Sequence, residues 1–108
     1  MPYTKEAFGQ MPGGEAVHKY TLENKNGLTA EFLDLGAVWH SMLVPDREGK
    51  FADVVLGYDS PEHYLASDAH LGEIIGRNAN RIGGGRFELN GREYALTVNN
   101  GPNNPHSG

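Results

Sequence analysis

At 108 residues, with 38% apolar content and no cysteine, the chain is one domain at most, with a modest core held by packing alone and no thiolate chemistry. A formal charge of −5 leaves no basic footprint and argues against nucleic acid as the main partner. No window approaches a membrane span, and the first ten residues lack the apolar run of a signal peptide, so a cytoplasmic protein is expected.

In chain order the sequence reads as a succession of strands. After Gly13-Gly14, residues Val17 to Leu22 alternate in part between apolar and polar. Asn24-Lys25-Asn26-Gly27 predicts a hairpin turn, since Asn-Gly supplies the left-handed backbone that tight hairpins need. Leu28 to Leu35 forms a second run and Ala37 to Val44 a third, ending at the turn Pro45-Asp46-Arg47-Glu48-Gly49. Asp53 to Gly57 predicts a short fourth strand. Ser60 as cap and Pro61 at the first helical position predict a short helix from Pro61 to Ala66. Further on, Asn90-Gly91 predicts a hairpin that sets Phe87 against Tyr94 and, less favourably, Glu88 against Glu93.

The stretch richest in chemistry is Gly76-Arg77-Asn78-Ala79-Asn80-Arg81-Ile82, led in by Ile74-Ile75. Asn offers a side-chain donor and acceptor together, and Arg a planar fork of donors that stays charged, a combination suited to a neutral polyhydroxyl ligand. A second polar segment runs from Asn99 to Gly108 and carries His106. Asn, Gly and Pro are also simply the residues of turns, and from residue types alone both readings stand. Residues 76 to 108 hold four Lys/Arg and two Asp/Glu, against five and twelve in residues 1 to 75, so the candidate site lies in the mildly basic part.

Other chemistries find less support. The five histidines lack metal-ligand spacing. Gly83-Gly84-Gly85 lacks the pattern of a phosphate cradle and reads as a tight bend. Ser41 and Ser107 have no nucleophile-elbow context, and Trp39 sits in an apolar strand, where a core role is expected.

Gly76 to Ile82, Gly85-Arg86-Phe87, Asn90 to Tyr94, Asn99 to Asn103 and His106-Ser107-Gly108, with Leu35-Gly36-Ala37, Val44-Pro45-Asp46 and Asp53 to Asp59 before them, resemble the N-terminal part of the aldose 1-epimerases, or galactose mutarotases. The resemblance covers nearly the whole chain in one order. It departs at Asn78, where a larger apolar or aromatic residue is common, and at Asn104-Pro105-His106-Ser107, where Ser-Leu-His-Gly is frequent.

The resemblance implies an all-β fold, part of a large antiparallel β-sandwich with one short helix, residues 1–108 being the N-terminal part of a single domain. It implies interconversion of the α and β anomers of free aldoses such as galactose and glucose, with no cofactor and no metal. Of the residues present, Asn80, Arg81 and His106 match sugar-contacting positions, with Arg77 a further candidate. The catalytic acid, a histidine, and the base, a glutamate, are implied beyond residue 108. The 108 residues alone are therefore expected to be inactive, and to associate with themselves or with a complementary C-terminal chain. A non-catalytic carbohydrate-binding or structural β-domain is the alternative, and a phosphorylated hexose substrate stays open.

Overall fold

The computed structural model describes residues 2–108 and divides into two compact units that meet in sequence between Ile74 and Ile75. The expected class is what forms: antiparallel strands with one short helix.

The first unit is a five-stranded meander of β1 (Tyr3–Gln10), β2 (Ala16–Glu23), β3 (Thr29–Leu33), β4 (Trp39–Pro45) and β5 (Phe51–Asp53), in spatial order β1-β2-β3-β4-β5. The predicted turn at Asn24 closes β2 onto β3. Its carboxamide Oδ1 accepts the main-chain N–H groups of Asn26 at 2.9 Å and Leu28 at 3.0 Å, so the side chain replaces a backbone acceptor. Val17, Leu33 and Val38 are the buried apolar core, with Phe8, Met11, Leu35 and Tyr64 packed around them. Lys19 on β2 lies between Glu6 of β1 at 2.9 Å and Glu31 of β3 at 3.0 Å, and Ser41 of β4 donates to the same Glu31 at 2.9 Å. One polar ladder thus ties four strands together.

Helix α1 (Pro61–Ala66) matches its predicted bounds, with the Ser60 hydroxyl accepting the His63 N–H and Pro61 buried at the first helical position. Tyr64 on α1 packs at the core and shares a 2.7 Å hydrogen bond with Nδ1 of His40.

Two expectations shift. The predicted strand over Asp53 to Gly57 ends at Asp53, whose carboxylate accepts the N–H groups of Met42 and Val55, each at 3.0 Å. With this carboxylate serving β4 and the residues just after β5, the side chain takes over from ladder bonds beyond Val54. Trp39, expected in the core, stays 38% exposed and stacks on Phe32, its indole N–H donating to the Ser41 carbonyl. Strand β1 has no counterpart in the sequence reading.

The second unit holds two ribbons. β6 (Arg81–Ile82) pairs with β9 (Asn104–Pro105), and β7 (Arg86–Leu89) pairs with β8 (Arg92–Ala95). The β7–β8 register is the predicted one, Phe87 opposite Tyr94 and Glu88 opposite Glu93. The two rings stack with centroids 5.1 Å apart, and Arg86 reaches Glu93 at 2.8 Å, which offsets the like-charge pair. Gly83–Gly85 forms a single 3-10 turn between β6 and β7, as the expected bend, with Gly84 and Gly85 at φ 68° and 62°.

Candidate functional site

The ladder between β6 and β9 brings together two segments that lie far apart in sequence. Its register sets Arg81 opposite Pro105 and Ile82 opposite Asn104. Just before β6 and just after β9, Asn80 and His106 bond each other twice. The Asn80 N–H donates to Nδ1 of the His106 ring at 3.1 Å, and the His106 N–H donates to the Asn80 carbonyl at 3.0 Å. Asn80 also receives the Arg81 N–H on its own Oδ1 at 2.9 Å. The predicted trio Asn80, Arg81 and His106 is therefore adjacent, with Asn80 and Arg81 exposed and His106 half-buried.

This junction requires unusual backbone. Asn80, His106 and Ser107 have φ of 63°, 54° and 70°, in the left-handed region that non-glycine residues seldom adopt. Asn tolerates it through its local side-chain hydrogen bond and His visits it more often than most residues, whereas Ser gains little there. Surrounding bonds must hold them.

Those bonds come from three residues whose part the sequence reading missed. The Ser107 hydroxyl accepts the Asn78 N–H at 2.9 Å and lies 2.7 Å from Oδ1 of Asn78, to which it donates. The carboxamide of Asn78 donates to Oδ1 of Asn104 at 3.3 Å, and Asn104, fully buried, donates onward to the Thr97 carbonyl. Their residue types signal only hydrogen-bonding capacity. Pairing across 26 to 29 positions is set by the β6–β9 register, which two-residue strands do not announce.

Arg77 lies in the wall of an open concavity of about 670 Å³ lined also by Asn78, Ile82, Phe87, Tyr94, Leu96 and Ser107, and this wall adjoins Arg81 and His106 only through their chain neighbours Ile82 and Ser107. The walls are mostly apolar, with the stacked Phe87–Tyr94 pair along one side. The two segments around the trio, residues 76–85 and 99–108, contain no Asp or Glu. They supply guanidinium, carboxamide and imidazole groups, which orient hydroxyls, and no carboxylate to act as a general base. Among the described residues no group of three His, Cys, Asp or Glu is placed to hold a metal ion. No helix among them is long and apolar enough to cross a membrane.

The sequence profile described as aldose 1-epimerase matches residues 18–108. The chain belongs to the aldose 1-epimerase family. It is similar to galactose mutarotase from Bos taurus, with 42% identity over 106 residues that make up 97% of this chain and 31% of that protein. Aldose 1-epimerase from Haemophilus influenzae shares 38% identity over 97 residues, 90% of this chain and 28% of its own length. The chain thus spans about three-tenths of the length of these relatives. Solved structures agree: an aldose epimerase homologue from C. elegans has a TM-score of 0.71 and 40% identity over 80% of this chain and 26% of its own. Galactose 1-epimerase from Lactobacillus acidophilus has a TM-score of 0.73 at 26% identity, covering 97% of this chain and 30% of its own. The β6–β9 junction and its trio lie within the aldose 1-epimerase match.

Proposed function

We propose that this chain carries the sugar-orienting part of an aldose 1-epimerase, in which Asn80, Arg81 and His106 hydrogen-bond the hydroxyls or ring oxygen of a free aldose such as galactose. Arg77 contacts the same ligand from the wall of the concavity. The 108 residues are read as the N-terminal part of one β-sandwich domain, consistent with their covering 31% of a related galactose mutarotase. The observation that carries the reading is the double bond set between Asn80 and His106 beside Arg81, which gathers mixed donors and acceptors at one end of a ladder.

The reaction needs a base to take the proton from the C1 hydroxyl while an acid protonates the ring oxygen. The C1–O5 bond then breaks to give the open aldehyde, rotation about C1–C2 exposes its other face, and the reverse proton transfers close the ring as the other anomer. Acid and base are assigned beyond residue 108, as the family resemblance implies. The residues present would act on orientation, and a hydrogen bond that tightens as charge develops on the ring oxygen lowers the barrier as well.

Polarimetry of fresh α-galactose tests this with a family-length protein carrying these residues. Arg81→Ala leaves a sugar hydroxyl unpaired and is expected to cost about 1–3 kcal/mol in kcat/KM, with His106→Ala in the same direction. The 108-residue chain alone is expected to leave the rate unchanged. Folded variants with unaltered kcat/KM would assign these side chains to turns and surface, as would be expected of a non-catalytic β-domain.

A further inference from the structure

The β7–β8 ribbon has two unlike faces. Its register sets Phe87 opposite Tyr94 and Leu89 opposite Arg92, so these four side chains share one face, while Arg86, Glu88, Glu93 and Ala95 share the other. The second face suits water, with Arg86 paired to Glu93 at 2.8 Å. On the first, Phe87 is 40%, Leu89 55% and Tyr94 36% exposed, although the two rings stack on each other. Ile82 and Leu96 continue this apolar surface along the wall of the concavity. A ribbon of two four-residue strands is marginal in water and gains its stability by packing such a face against something.

Charge narrows what that something is. Arg92 is the charged group on the apolar face; its guanidinium lies over the Tyr94 ring, 5.2 Å from the centroid, and reaches no carboxylate among the described residues. The carboxylates of residues 75–108 are Glu88 and Glu93, both on the opposite face. Two copies docked face to face would therefore carry the same positive charge on both surfaces, with no carboxylate between them. An apolar sheet face that bears an Asp or Glu is complementary where a second copy is not. The relatives have the length of chain to supply one: the 106 matched residues are 31% of the Bos taurus galactose mutarotase, so about seven-tenths of that protein lies outside the match.

Resting on the reading of residues 1–108 as the N-terminal part of one β-sandwich domain, we propose that Phe87, Leu89 and Tyr94 form the surface on which a second sheet of that sandwich packs. The sheet is contributed by residues beyond 108 in a family-length aldose 1-epimerase, and a carboxylate on it meets Arg92. Sheets packed face to face interdigitate the side chains of their inner faces, so the stacked rings and Leu89 fill the layer between them.

Nitration of Tyr94 by tetranitromethane, located by peptide mapping, tests the surface in the 108-residue chain and in a family-length protein carrying these residues. In the short chain Tyr94 should react readily, at a rate independent of protein concentration. In the family-length protein it should react at least about tenfold more slowly, and regain full reactivity in urea. Equal rates in the two proteins would overturn the proposal. So would protection in the short chain, which would assign the cover to a second copy if it grew with concentration alongside a dimer in sedimentation, and to the chain's own first unit if it did not. Leu89→Ser should leave the circular dichroism of the short chain unchanged and raise Tyr94 reactivity in the folded family-length protein; undiminished protection there would refute the docking face. Arg92→Glu should raise that reactivity severalfold and Arg92→Lys should not, and equal rates in these two variants would refute the carboxylate. Thermal unfolding keeps the single-domain reading separate. One cooperative transition with Tyr94 reactive would sink the docking face and leave the single domain standing, whereas two independent transitions with Tyr94 protected would do the reverse.

Discussion

Asn104→Ala is the substitution with the sharpest expected consequence for the second unit. The side chain is fully buried and spans two bonds, donating to the Thr97 carbonyl and accepting from the Asn78 carboxamide at 3.3 Å. Truncation removes both, each worth about 0.5–1.5 kcal/mol net, and leaves partners unpaired beside a space that alanine does not fill, so the total cost is about 2–4 kcal/mol. At about 1.4 kcal/mol per tenfold, that corresponds to a roughly 30- to 700-fold rise in local opening. Amide hydrogen exchange reads it at Leu96, whose N–H donates to the Gly85 carbonyl at 2.7 Å, and at His106, whose N–H donates to Asn80. Asn99→Ala is the comparison, because Asn99 is exposed and gives up a single side-chain bond, to the Pro105 carbonyl at 3.1 Å. Its effect should stay below about tenfold. If Asn104→Ala changes protection no more than Asn99→Ala does, the buried carboxamide is not what holds the β6–β9 junction.

Two predictions concern the first unit. The His18 main-chain N–H bonded to Asp34, and secondarily the imidazole at 2.9 Å, outweigh a smaller opposing effect of burial and hold the Asp34 carboxyl below its usual range. A depressed folded value means stability that is full above the unfolded carboxyl value of about 3.9 and is lost as pH falls through the folded one. Urea midpoints measured from neutral pH downward should therefore fall more steeply below pH about 4 in the wild type than in Asp34→Asn; parallel curves would contradict the assignment. Gly72 has φ 64°, its carbonyl accepts the Trp39 N–H at 2.8 Å, and an added Cβ would fall on the Trp39 carbonyl oxygen. Gly72→Ala should cost at least about 1–2 kcal/mol by urea denaturation, and an unchanged midpoint would show that this close approach can open freely.

How much of this was legible in the sequence depended on how local each determinant was. The turn at Asn24, the helix at Pro61 and the hairpin at Asn90-Gly91 are each fixed by residues a few positions apart, and each forms where the sequence indicates. Strand β1 was illegible because it is an edge strand with mostly exposed residues, so no apolar alternation is required of it. The strand expected over Asp53 to Gly57 failed because Val54-Val55-Leu56 looks apolar, while the Asp53 carboxylate takes over from ladder bonds beyond Val54. At the site, Asn80, Arg81 and His106 were picked out through resemblance, and their adjacency follows from the ladder. Asn78 and the Asn104–Ser107 segment had stood out as departures from the family pattern. They are bonded to one another, so each departure has its partner in the other.

The spatial order of the five-stranded sheet follows the order of the chain, and its innermost pairs, Gln10 with Ala16, Glu23 with Thr29, Phe32 with Trp39 and Pro45 with Phe51, join residues six or seven positions apart. Each pairing closes a short loop, so little chain entropy is lost before the first cross-strand bonds form. Such a sheet has low contact order for a β structure, and its assembly can advance one hairpin at a time. During synthesis on the ribosome, every strand from β2 onward emerges with its preceding partner already outside the exit tunnel. The time for which bare strand edges face other nascent chains is correspondingly short.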